Sequence, residues 1–164
     1  MRKKTVILCL VLLIMALSVC MSGCSGDDAP PLAAEDEIKL IIQLDVKEDI
    51  GLLILDQNVN GDERSGGISN ADKSMLKHDD MLDWSYHKNG IELGGVEIPG
   101  NTVDLSLRFR VITEYCEPNY ESIYPEEYTV LLDPISFDAD FGKTYHITIT
   151  GDKESGYQAG LDEP

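Results

Sequence analysis

Positive charge is scarce in this chain: 13 Lys and Arg stand against 30 Asp and Glu, a net charge of −17. Phosphate backbones are read by basic surfaces, so nucleic acid is not an expected partner. Attachment to anionic lipid by charge alone is set aside for the same reason, because it needs clusters of Lys and Arg. Excess carboxylate serves solubility first, and it leaves divalent cations and basic partners open. Cysteine is scarce too, with only Cys116 beyond residue 24. No stretch after the N-terminal region sustains a helical apolar period over 11 residues. Catalytic signatures are missing: there is no G-x-S-x-G elbow, phosphate loop, H-E-x-x-H or redox-spaced cysteine pair. Adjacent acids such as Glu126 and Glu127 do not by themselves give the separation across a cleft that glycoside cleavage needs. An enzyme is therefore not expected.

The N-terminus carries a different message. Arg2, Lys3 and Lys4 precede an uncharged apolar run from Val6 to Cys20, followed by small residues, which is the layout of an export signal. The run is shorter than the roughly 20 residues that a bilayer core requires, so a permanent span is the weaker reading. Met21-Ser22-Gly23-Cys24 resembles the lipobox of bacterial lipoproteins, although Met21 stands where that pattern usually has Leu. The resemblance covers the first 24 residues and implies a diacylglyceryl group on Cys24, with the protein anchored by lipid on the extracytoplasmic side of a cell membrane. Two acyl chains hold far more firmly than one, since each buried methylene adds ~0.8 kcal/mol.

On that reading residues 1–23 are the signal, and the mature chain of 141 residues suits one domain. Its charge becomes −20, because three basic residues leave with the signal. Cys116 then has no partner for an internal disulfide, and the domain relies on its core. Residues 24–37 combine acids, Pro30-Pro31 and small residues without a hydrophobic period, the composition of a solvated tether. Residues 38–164 form the domain.

Within it the apolar period is two. Ile38, Leu40, Ile42, Leu44 and Val46 share one face of a strand, and Leu82, Trp84 and Tyr86 share one face of another. Val103, Leu105, Leu107, Phe109 and Val111 alternate with Asp104, Ser106, Arg108 and Arg110, and Tyr145, Ile147 and Ile149 alternate up to Gly151. Further strands are read over residues 51–56, 129–132 and 135–141, with Pro134 marking an edge or bend. Two polar stretches, 57–80 and 114–128, read as long loops. Six or seven strands without intervening helices predict an antiparallel β-sandwich, immunoglobulin-like or transthyretin-like in arrangement.

Three sites are worth weighing. Asp56, Asn58, Asn60 and Gly61 match the opening of a calcium loop, but position 12 is Gly67 and the flanks are strands, so an EF-hand is excluded. What survives is a partial calcium cradle of Asp56, Asn58, Asn60, Asp62 and Glu63, against a turn that uses Asn and Gly for positive φ. Tyr115, Tyr120, Tyr124 and Tyr128 form either a recognition surface for an envelope protein, peptide or glycan, or a set of rings closing one end of the sandwich. His78, Asp79, Asp80, Asp83 and His87 read as a solvated face rather than a transition-metal site. The function expected is that of a lipid-anchored binding or interaction module in the cell envelope, the alternative being a lipoprotein whose acidic loop is ordered by calcium.

Overall fold

The computed structural model describes residues 32–88, 90, 100–117 and 123–162. The described residues form nine strands: β1 (Glu37–Val46), β2 (Leu52–Val59), β3 (Asp62–Ile68), β4 (Met81–His87), β5 (Thr102–Ile112), β6 (Thr129–Leu131), β7 (Ile135–Asp140), β8 (Lys143–Asp152) and β9 (Gly156–Leu161). They form two sheets. The first runs β4-β1-β8-β9; the second runs β3-β2-β5-β6, with β7 also paired to β5. Inward side chains of both sheets meet in one core, so the expected all-β sandwich is present, with nine strands instead of six or seven.

The alternating residues of the sequence build that core. Ile38, Leu40, Ile42 and Leu44 of β1 are fully buried, as are Leu105, Leu107, Phe109 and Val111 of β5 and Ile147 and Ile149 of β8. At about 25 cal/mol per Å² of apolar surface removed from water, each such side chain contributes on the order of 1.5–3 kcal/mol toward folding. One polar bridge crosses this interior: the Tyr86 hydroxyl donates to Gln57 Oε1 at 2.6 Å, tying β4 to β2. Burial pushes that phenol well above its ordinary pKa, so it stays protonated and keeps donating.

Three features depart from the sequence-based expectation. First, β1 and β8 run parallel, with Leu40 opposite Tyr145 and Leu44 opposite Ile149, so the first sheet is mixed and not purely antiparallel. Second, residues 57–80 are not one long loop. Residues 57–59 extend β2, and β3 returns beside it after a two-residue turn, which leaves the stretch from 69 to 80 as the connection. Third, β9 adds an antiparallel edge to β8 after a turn capped by Asp152, whose Oδ1 accepts from the backbone N–H groups of Glu154 and Ser155. The Lys47 ammonium and these donors hold the Asp152 carboxyl well below the usual carboxylate range.

The β3 strand lacked a readable pattern because its neighbour supplies the packing. Gly66 faces Trp84, and a methyl group there would come within 2.4 Å of the indole ring. The indole of one sheet thus lies against bare backbone of the other. Among the described residues no helix is long and apolar enough to cross a membrane.

Candidate functional site

The outward face of the second sheet is divided in two. Along β2 and β5, the residues that alternate with the core ones are Leu52, Ile54, Asp56 and Asn58 on one strand, and Ser106, Arg108, Arg110 and Ile112 on the other. At one end Leu52, Ile54 and Ile112 form a second, smaller apolar cluster, covered by Tyr115, Cys116 and Tyr124. At the other end the polar members line an open groove of about 890 Å³.

The covered half holds two of the four loop tyrosines. Tyr115 and Tyr124 lie half-buried on the apolar cluster, so these two rings close the outer face of the sheet. The Tyr115 hydroxyl donates to Glu117, and Glu117 pairs with Lys73 at 2.8 Å, which links this loop to the 69–80 connection. Both partners of that pair are well exposed, so its worth is small. Burial raises the Tyr115 and Tyr124 phenols above their ordinary pKa, and the Arg110 guanidinium acts against this at Tyr124. Burial, with Glu127 and Glu117 nearby, also raises the Cys116 thiol, which disfavours the nucleophilic thiolate. Tyr128 sits exposed in a single 3-10 turn, Glu126–Tyr128. Tyr120 and Cys24 lie outside the described residues.

The open half is built on arginine. The Arg110 Nη2 donates to Asp56 Oδ1 at 2.7 Å and to Ser65 Oγ at 3.2 Å, while Ser65 Oγ donates to the same carboxylate oxygen at 2.8 Å. Arg108 is directly opposite Asp56 in register, but that carboxylate is already engaged. Arg108 is exposed and forms no hydrogen bond or ion pair with a described residue. Its wall is apolar: Leu131, an exposed leucine at the end of β6, and Pro134 line the same groove. Pro134 separates β6 from β7, as its lack of an N–H requires, while Leu132 between the two strands turns into the core.

The residues of the expected cation cradle lie on the β2–β3 hairpin. Asn60 and Gly61 form the hairpin turn at φ 51° and 95°, the left-handed values that Asn-Gly adopts in two-residue loops. Asn58 Oδ1 accepts from Gly61 N–H at 2.9 Å, and Asn60 Oδ1 accepts from Asp104 N–H at 2.9 Å on β5. Asp56 holds Arg110, while Asp62 and Glu63 extend along β3 into solvent. The oxygens that a calcium loop would converge are spread along the hairpin, those of Asp56, Asn58 and Asn60 bonded within the protein and those of Asp62 and Glu63 in solvent. Among the described residues no group of three His, Cys, Asp or Glu side chains is placed to hold a metal ion. His78 instead joins Lys77 on Asp49, and these donors, Lys77 foremost, bring that carboxyl down to about 2. Millimolar calcium is therefore expected to leave the melting temperature unchanged, while Asp56→Ala lowers it with or without calcium by freeing Arg110. A calcium-dependent rise abolished by Asp56→Ala would restore the cradle.

Sequence reasoning placed Arg108 and Arg110 on the outward face but did not single them out. The signal was available: only four arginines occur in the chain, and two of them are neighbours on one face of one strand.

No family model matches the chain, and no curated protein matches it. Its backbone is similar to the NMR structure of a protein from Eubacterium rectale, with a TM-score of 0.41 and 10% identity, covering 82% of this chain and 97% of that one. It is similar also to a non-hemolytic pneumolysin from Streptococcus pneumoniae (TM-score 0.39, 13% identity, 78% of this chain) and to suilysin from Streptococcus suis (TM-score 0.28, 15% identity, 79% of this chain). The chain spans 24% and 23% of the length of those two. Likenesses this distant assign no function.

Proposed function

We propose that this protein is a binding module of the cell envelope, held to the extracytoplasmic side of a membrane by lipid on Cys24 and lifted from it by the acidic tether that leads to β1. The anchor rests on the resemblance of Met21-Ser22-Gly23-Cys24 to a lipobox after a basic and apolar leader. The binding reading rests on one observation: the outer face of the second sheet keeps an open groove with an unengaged arginine against an exposed leucine and proline. Monomeric domains place such a combination where a partner supplies the missing counter-charge and covers the apolar wall.

Each half has its own test. Cys24→Ala is expected to move the protein from the membrane fraction to the soluble fraction, and retention would point to an uncleaved signal anchor. For binding, a photo-crosslinking residue is placed at Leu131 in the groove wall or at His146, exposed on the outward side of β8. Discrete adducts from Leu131 and none from His146 are expected in intact cells. Equal yields from both positions, or none from Leu131, would end the groove's claim.

A further inference from the structure

Charge changes sign along the floor of the groove face. Arg110 is paired with Asp56, and Arg108, two residues earlier on β5, is engaged by no described residue. Ser106 follows, accepting from Ser136 at 2.8 Å, and two residues further lies Asp104. Asp104 is directly opposite Asp138 of β7, both exposed and neither bonded through its carboxylate to a described residue. Like charges directly opposite on neighbouring strands repel, so this pair is a standing cost unless a cation comes between them. One strand therefore offers an open cation at Arg108 and an open anion pair at Asp104 and Asp138, four residues apart and on the same face.

The spacing selects the complement. Residues i and i+4 of a strand lie about 13 Å apart and point the same way, at ~3.3 Å per residue. An extended peptide has that same rise, so an acidic and a basic side chain four residues apart on it meet both positions at once. We propose that the groove, together with the β5–β7 face beyond its Ser106 end, binds an extended peptide segment of a partner protein bearing one acidic and one basic side chain at this separation, the acid on Arg108 in the groove and the base between Asp104 and Asp138 outside it. This deepens the binding reading above and rests on it.

The arginine fork suits a carboxylate, which it grips with two parallel N–H bonds. The stem of the acidic residue would lie against Leu131 and Pro134, which line the Arg108 end. A uniformly acidic peptide is opposed by Asp104, Asp138 and the net charge of −17. A uniformly basic one leaves Arg108 facing like charge.

The test uses the full chain in nonionic detergent micelles and blocked, serine-rich peptides with glutamate and lysine four residues apart, in either order. One order is expected to bind, and exchanging its glutamate for glutamine, or its lysine for methionine, should weaken it about tenfold. Arg108→Gln should remove the dependence on glutamate alone, and Asp104→Asn with Asp138→Asn the dependence on lysine alone. Arg108→Glu should reverse the preference at that position from glutamate to lysine. These side chains are exposed and lack described side-chain partners, so the Arg108 variants are expected to unfold at wild-type temperature and the double Asn variant at that temperature or slightly above it, its like-charge repulsion being removed. Overturning results are equal affinity for a uniformly basic peptide, indifference to Arg108→Gln, or Arg108-dependent binding of an acidic oligosaccharide while every peptide fails. Leu131 adducts combined with charge-blind peptides would remove this charge pattern while leaving the binding reading intact; loss of the adducts removes that reading itself.

Discussion

Phe109→Ala is expected to lower the unfolding free energy by about 3–5 kcal/mol and the melting temperature by roughly 10 °C or more. Phe109 is fully buried and sits in β5, which is hydrogen-bonded to β2 on one side and to β6 and β7 on the other. Its removal takes apolar surface out of the core and leaves a cavity that a strand bonded on both sides cannot collapse to fill. Against a total of about 5–15 kcal/mol for an ordinary domain, the loss is a large fraction of the fold's stability. Urea unfolding measures it, with a lower midpoint at unchanged slope. A loss under about 1 kcal/mol would mean that the two sheets are not packed on this ring. The groove shares the risk, since Arg108 and Arg110 flank Phe109 and owe their direction to the same strand.

Gly51→Ala comes second, and its effect is local before it is global. Gly51 is buried just before β2, donates its N–H to the Ile112 carbonyl at 2.7 Å, and lies against the backbone where the tyrosine loop departs. A methyl group on it would meet the Glu114 carbonyl carbon and oxygen and the Tyr115 nitrogen at 2.3–2.4 Å. No rotamer relieves a clash with backbone, so the loop must lift or β2 must shift. Overpacking of this kind costs about 1–3 kcal/mol and occasionally more. The loop carries its own reporter: Cys116, half-buried on Leu52, Ile54 and Ile112, is covered only while the loop is seated. Gly51→Ala is expected to lower the melting temperature by several degrees and to speed labelling of this thiol several-fold. Wild-type labelling in a destabilised variant would place the strain in β2 instead.

The strands β1, β5 and β8 were legible in the sequence because each sets alternating apolar residues into the core, although on β1 the opposite face is buried too, at Lys39 and Ile41. The end of β2 beyond Asp56 was not legible, because Gln57 and Asn58 look like loop residues until Tyr86 and Gly61 are brought beside them. The β3 strand has Arg64 and Gly66 where a core strand has aliphatic residues, the space being filled by Trp84 from the other sheet. The parallel pairing of β1 with β8 has no local signature, since either direction of β8 buries the same isoleucines. For the site, alternation put both arginines outward, but which of them was spoken for depended on a diagonal hydrogen bond to a residue over 50 positions away.

That parallel pairing also sets the order of events as the chain folds. Lys39 pairs with Thr144 and Val46 with Gly151, so the centre of the first sheet joins segments separated by about a hundred residues. Closing so long a loop is entropically costly before any contact rewards it, which places this topology among slow folders, in the range of milliseconds to seconds. The second sheet has no such handicap on its β2–β3 side, where a two-residue turn joins the strands. A chain cut short before Lys143 would hold the hairpin but leave β1 with only β4 at its side. Until the eighth strand arrives the first sheet has no centre, and β1 waits without its parallel neighbour.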